Sequence, residues 1–354
     1  MIFVSIASYR DTELLPTINS LIDNADNPED LRIVVVEQEK KHKHLDLSAY
    51  PNIVHIKKLS HESKGAGWAR KIAFEHYAGE EFVFQIDSHM RFAPSWDSQL
   101  KRMYHWCARD AGTDKIILSQ FPAPYQIFTD GSIYYPVGDE DFWDEPAWTS
   151  VVNTWSGVWA GHRQKIADKS RPHKSHTILA GYIFTIGKFI EEIPYDDRIV
   201  FMGEELCIAV RAYTRGWEIY APNEMLIWHF YKREERPKVW NEHRQYRAWG
   251  DLELSSQQVQ RKILLGEETG VFGIGDQERF DEYQKMIGLN FAEFYAKDLQ
   301  EKANLGTLST EIEFDEEFNM IEVAKTGYCI NGFHHRCLAK QECFCKCHNK
   351  DGNE

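Results

Sequence analysis

The chain has 354 residues, 43% of them apolar, with 41 basic against 55 acidic side chains and a formal charge of −14. At about 150 residues per domain this leaves room for roughly two domains, and 27% charged with 13% aromatic residues excludes wholesale disorder. Such acidity also excludes a surface that tracks a polyanion over its whole extent, because phosphate backbones bind through Lys and Arg clusters; a local basic patch stays open.

Residues 2–6 are β-branched or aromatic with no basic stretch ahead of them, which reads as a strand and not as a signal peptide. Leu14, Ile18, Leu21 and Ile22 then repeat at helical spacing, and residues 32–37 form a second apolar run, as a strand buried on both faces requires. A third apolar patch at 53–56, a helix over 66–77 and a buried strand over 82–86 continue the alternation. The expectation is an α/β fold with a Rossmann-like, mostly parallel sheet and its site at the strand C-termini.

The fourth strand ends in Asp87-Ser88-His89. A carboxylate and an imidazole two residues apart on extended chain point the same way and can share one cation; a cap or turn is the plainer reading of the same residues. Residues 120–160 carry Pro122, Pro124, Gly131, Pro136 and Gly138 among Trp143, Trp148, Trp155 and Trp159, and long loops are expected there. Strands are expected over 178–184, 217–220 and 226–230, a helix over 204–215, and helices again from 241 to about 300 around the turn at 270–275. No run of about 18 uninterrupted apolar residues occurs, so no membrane span is expected. With only Cys107 and Cys207 in the first 328 residues, the chain reads as cytoplasmic.

Four segments accompany Asp87-Ser88-His89 in a telling order: Gly67-Trp68-Ala69-Arg70 before it, then Ala180-Gly181-Tyr182-Ile183-Phe184, Gly203-Glu204-Glu205-Leu206 and His229-Phe230-Tyr231-Lys232. Together they resemble the GT-A retaining glycosyltransferases that add N-acetylhexosamines to polypeptide hydroxyls. The polypeptide N-acetylgalactosaminyltransferases share these motifs. The polypeptide N-acetylglucosaminyltransferases look closer, through residues 5–11, 85–92, Trp96-Asp97, 272–275 and 288–291. The resemblance covers approximately residues 1–298, apart from the loop at 120–175.

The resemblance implies that Asp87, His89 and His229 hold a divalent cation, Mn²⁺ or Mg²⁺, bridging the diphosphate of a UDP-sugar. A carboxylate with two imidazoles suits Mn²⁺ better, since Mg²⁺ prefers oxygen ligands throughout. It further implies that Ser8, Tyr9, Arg10 and Asp11 lie against uracil and ribose, that Arg70 faces the donor, and that Lys232 contacts the diphosphate. Gly181 would give the sugar close approach to backbone, Glu204 would bind sugar hydroxyls, Glu205 would lie near the acceptor, and Asp197, or its neighbour Asp196, would support that loop. Each has a plainer alternative: core packing for Tyr9, a surface charge for Arg70 and Lys232, a strand bulge for Gly181, and helix-dipole complementarity for Glu204 and Glu205. The implied partners are a UDP-sugar and a polypeptide hydroxyl, with no membrane.

Cys329, Cys337, Cys343, Cys345 and Cys347 with His348 crowd the C-terminus. Zinc is the leading reading, although C-x-C pairs depart from the usual C-x₂-C spacing; disulfides or a loose tail are the alternatives. The tail is locally basic, which leaves nucleic acid as a lesser candidate partner. The expected organisation is a catalytic domain over 1–240, a helical extension over 241–325 and the Cys/His-rich tail over 326–354. Three rival functions carry weight: a non-haem iron oxygenase using the Asp/His/His set, a noncatalytic binding module, and a glycosyltransferase acting on modified DNA bases.

Overall fold

A computed structural model describes residues 1–135, 146–153, 159–231, 236–243 and 249–304. The N-terminal alternation is present as β1 (Ile2–Tyr9), α1 (Leu14–Asp23), β2 (Leu31–Glu39), β3 (Ile53–Leu59), α2 (Ala66–Phe74) and β4 (Phe82–Asp87). Then come β5 (Met90–Phe92), α3 (Trp96–Ala111), β6 (Ile116–Leu118), β7 (Ala123–Pro124) and the small hairpin of β8 (Gln126–Ile127) and β9 (Ile133–Tyr134). A longer hairpin joins β10 (Ala147–Asn153) to β11 (Trp159–Lys165). Among the described residues the stretch expected as loops over 120–160 includes short paired strands, with Gly131 in the turn between β8 and β9. The acidic loop at 136–145 and Trp155 lie outside the described residues.

The chain continues through β12 (His173–Lys174), β13 (Tyr182–Ile186), α4 (Lys188–Glu192), α5 (Glu204–Tyr213), β14 (Glu218–Ala221) and β15 (Ile227–His229). The described residues then close with α6 (Val239–Glu242), α7 (Trp249–Leu264), α8 (Gln277–Ile287) and α9 (Phe291–Asn304). Among the described residues no helix is long and apolar enough to cross a membrane.

Eight strands form one sheet in the order β12-β14-β6-β13-β4-β1-β2-β3. From β4 to β3 all neighbours are parallel. Period-two alternation sorts their side chains between two cores. Ile2, Val4, Ile6, Phe84 and Ile86 meet Leu14 and Ile18 of α1 and Trp96 and Leu100 of α3 on one face. Phe3, Val34, Val36 and Val83 meet Ala69 and Ala73 of α2 and Ala209 of α5 on the other. Helix α3 gives Trp96, Leu100, Met103 and Cys107 to that first core, an i, i+4, i+7, i+11 stripe that sequence reading passed over.

Strand β13 runs antiparallel to both its neighbours, β4 and β6. This reversal is what builds the site. With Tyr182 opposite Ile86, the start of β13 lies beside the end of β4, so Ala180 and Gly181 reach the edge where Asp87 emerges. A second sheet, β5-β15-β7, stands past that edge, and its antiparallel register sets His229 opposite Met90, one residue from His89. Helices α7 and α8 close the far side on α5 through Val210, Tyr213, Ile263, Phe280 and Tyr283.

Candidate active site and metal centre

Three ligand atoms converge at the sheet edge. The Nε2 atoms of His89 and His229 are 2.9 Å apart, and Asp87 Oδ2 lies 3.3 Å from His229 Nε2 and 3.9 Å from His89 Nε2. Two ring nitrogens this close cannot both carry a proton. His89 is fixed by Asp11, whose Oδ2 accepts from Nδ1 at 2.6 Å. An ionised carboxylate only accepts, so Nδ1 holds the proton and Nε2 turns its lone pair toward Asp87 and His229. Among the described residues this is the only group of three or more His, Cys, Asp or Glu with ligand atoms all within 4.8 Å of one another. A carboxylate oxygen and two imidazole nitrogens on one point is a donor set that fits a divalent cation such as Mn²⁺.

Electrostatics keeps Asp87 ready for a cation. Burial alone would raise its carboxyl, but the hydrogen bond with His229 and the charge of Arg70, with the two imidazoles beside it, outweigh that and hold it well below the usual carboxylate range. Arg70, 5% exposed, bridges Asp87, at 3.0 Å, and Glu204. Burial opposes its charge, yet Glu204, Tyr195 and Asp87 raise it further above its ordinary value. The surface-charge alternative for Arg70 is therefore overturned. Glu204 Oε2 is buried without a hydrogen-bond partner in the protein, an acceptor held in reserve.

Gly181 serves Asp87. A Cβ there would stand 2.5 Å from Asp87 Oδ2 and 2.8 Å from its Cγ, so the bare backbone makes room for the carboxylate. Glu205 accepts from the Ala180 amide at 2.8 Å, and burial, with Glu204 nearby, pushes its carboxyl from 4.5 up to about 7. Between those values the folded chain keeps a proton that the unfolded chain has lost, so this group's contribution makes stability fall as pH rises from 4.5 to 7. Glu205→Gln should accordingly be more stable than wild type at pH 8, by about 1–2 kcal/mol after allowing for partial exposure, and converge with it near pH 5. Equal thermal shifts at both pH values would contradict the raised carboxyl.

A cavity of about 240 Å³ opens over this group, lined among others by Tyr9, Arg10, Asp11, Arg70, Asp87, His89, Gly181, Glu204 and Glu205. The sequence-derived residues thus gather here, with exceptions. Ser8 does not line it; its side chain is buried and its carbonyl accepts from Gln38. Asp197 lies apart, in an ion pair with Lys71, while Asp196 is buried against Arg198. Asp11 faces His89, Ser88 and Arg236 with both oxygens, so its carboxylate is engaged by the metal ligand's far side. Tyr9 lies at the cavity wall and donates its hydroxyl to Glu242 at 2.8 Å; Arg10 pairs with Glu39 and Glu242. Lys232 and the whole tail, with Cys329, Cys337, Cys343, Cys345, Cys347 and His348, lie outside the described residues.

Sequence reasoning missed Arg236 and Glu242, which reach back to the first loop from more than 220 residues away. It also missed a second cavity of about 390 Å³ that shares Tyr9 and Glu242 with the first and is lined by Lys40, Lys41, His42, Ser60 and His61.

The chain matches the family described as Glycosyltransferase (GlcNAc) over residues 1–53 and 40–293. No curated protein matches it. Among solved structures it is similar to GalNAc-T7 with UDP, GalNAc and Mn²⁺, at 16% identity and a TM-score of 0.52, covering 86% of this chain and 58% of that one. The chain therefore spans under two thirds of that relative. It is also similar to the mannosyltransferase PcManGT from Pyrobaculum calidifontis with GDP-Man and Mn²⁺, at 12% identity, TM-score 0.47, 88% of this chain and 76% of that one. S. aureus TarS 1-349 with UDP-GlcNAc gives 14% identity, TM-score 0.45, 81% and 71%. At 16% identity the likeness to GalNAc-T7 is one of fold.

Proposed function

The chain belongs to the GlcNAc glycosyltransferase family and has its GT-A fold, and from that premise we propose a retaining transfer of N-acetylglucosamine from a UDP-sugar to a polypeptide Ser, Thr or hydroxyproline hydroxyl. The observation that carries the reading is the convergence of Asp87, His89 and His229 beneath a cavity that also holds Arg70, Glu204 and Glu205. Those three ligands would hold Mn²⁺, which, when bound, supplies Lewis-acid neutralisation of the departing diphosphate.

The protein's own groups do the rest. Tyr9 and Arg10 at the end of β1 flank the nucleoside, and the adjoining cavity beside Lys40 and Lys41 extends the space available to it. The unpartnered Glu204 Oε2 accepts from a sugar hydroxyl, and the Arg70 ion pair keeps that carboxylate in place. In same-face attack the acceptor oxygen bonds to the anomeric carbon as the bond to the phosphate oxygen breaks. The proton passes to that departing oxygen, so no protein nucleophile is required. Glu205, anchored by the Ala180 amide, orients the acceptor. In this reading residues 1–240 are the catalytic unit and 241–325 an extension whose described helices α7 to α9 pack on α5, and the Cys/His tail is a zinc staple.

A donor-hydrolysis screen over UDP-sugars with Mn²⁺ tests the proposal. UDP release from UDP-GlcNAc above other donors, abolished by a chelator, is expected. Preference for another donor would overturn the sugar assignment, and no release or binding with any UDP-sugar would overturn the reading as a whole.

A further inference from the structure

Residues 236–239 line the cavity, and the segment 236–243 to which they belong is fastened at both ends. At one end Arg236 Nη1 lies 2.7 Å from Asp11 Oδ1, with Nη2 3.6 Å from Glu13 Oε1. Its guanidinium stacks on Phe230 at 4.6 Å. At the other end Glu242 takes the Arg10 guanidinium and the Tyr9 hydroxyl. Between these fastenings Arg236, Pro237, Lys238 and Val239 face the cavity.

Asp11 joins this segment to the metal ligands, because its Oδ2 accepts from His89 Nδ1 at 2.6 Å and from the Ser88 hydroxyl at 3.0 Å. The other oxygen accepts from the Glu13 amide at 2.9 Å, and the Arg236 guanidinium adds a charge-assisted bond to that same oxygen, which restricts the carboxylate's rotation further. Glu13 behind it is itself held by Arg91 at 2.5 Å and by the Tyr125 hydroxyl at 3.1 Å, so Arg236 docks on a fixed surface. We propose that Arg236 is a positioning residue for the metal ligand: by fixing Asp11 it fixes the tautomer and orientation of His89, so that covering the cavity and completing the cation site are one event. The inference rests on the metal reading above and assigns part of its control to the covering segment.

The test is Mn²⁺ affinity measured without nucleotide, by the spectroscopic signal of free Mn²⁺, on the full chain and on Arg236→Ala, Arg236→Lys and Asp11→Asn. Groups that orient a metal-bound imidazole typically contribute 10–100-fold in affinity. Arg236→Ala should weaken Mn²⁺ about tenfold, Asp11→Asn by a similar factor, and the double variant no more than the worse single one. Arg236→Lys should fall between, keeping the charge but not the planar fork, and it answers the question even where the alanine variant folds poorly. Unchanged Mn²⁺ affinity in both Arg236 variants, with UDP binding weakened, would show a mere cover and overturn the coupling alone. A wild-type chain that binds UDP-sugar but no Mn²⁺ would overturn the metal reading and the coupling together.

Discussion

Replacing Asp87 with alanine is expected to abolish Mn²⁺ binding and sugar transfer together. Asp87 supplies the single anionic donor among the three ligands, and its carboxyl is held ionised by His229, Arg70 and His89. Lewis-acid assistance at a departing diphosphate accounts for several kcal/mol of barrier, so about 4 kcal/mol lost corresponds to roughly 10³-fold in turnover. The same substitution strips Arg70 of one of its two carboxylates, leaving a buried guanidinium paired with Glu204 alone. His229→Ala separates the two effects, since it removes a ligand and leaves the Arg70 pairs untouched. Both variants should lose Mn²⁺ binding, with Asp87→Ala the less stable of the two by thermal melt. Transfer surviving in either at a tenth of the wild-type rate would contradict a shared cation.

Gly181→Ala is the sharper experiment, because it adds one carbon and removes no ligand. The new Cβ would stand 2.5 Å from Asp87 Oδ2, well inside van der Waals contact. The carboxylate cannot simply rotate away, since Arg70 holds its Oδ1 at 3.0 Å and His229 meets its Oδ2 at 3.3 Å. A displacement on the order of 1 Å at a reacting centre costs about 10²-fold in rate, while overpacking of one methyl costs about 1–3 kcal/mol in stability. The expected result is a folded chain with turnover down by about two orders of magnitude and Mn²⁺ affinity weakened alongside it. Wild-type kinetics in Gly181→Ala would mean that Asp87 has another place to go and that the glycine serves only the strand.

Much of this site was legible before the fold was known, for a physical reason. A buried parallel strand must be apolar throughout, so polar residues at its end, such as Asp87 and His89, stand out, and open α/β sheets place their chemistry there. His229 was legible only through the order of segments, since its approach to His89 depends on the pairing of β15 with β5. Gly181 was expected at the site, but its reason was not. That it yields space to Asp87 follows from the antiparallel entry of β13, which no local pattern announces. Asp11, expected at the nucleotide, lines the cavity and also braces the metal ligand, a role with no signal in the sequence, while Asp197 forms an ion pair with Lys71. Adjacent acids such as Asp196 and Asp197 look alike in sequence; burial against Arg198 distinguishes them. The pairing of Tyr9 and Arg10 with Glu242 spans more than 230 residues and has no periodic signature at all.

The iron-oxygenase reading shared the same ligand types, and what separates it is the scaffold: the ligands sit at the C-terminal edge of a largely parallel sheet in a chain of the glycosyltransferase family. The central claim is narrower than any choice of donor or acceptor. Anomalous diffraction at the manganese edge, from crystals of the full chain equilibrated with Mn²⁺ and UDP, tests it most directly. A peak within bonding distance of Asp87 Oδ2, His89 Nε2 and His229 Nε2 is the predicted result. Bound UDP with manganese elsewhere, or with those three side chains turned apart, would contradict it.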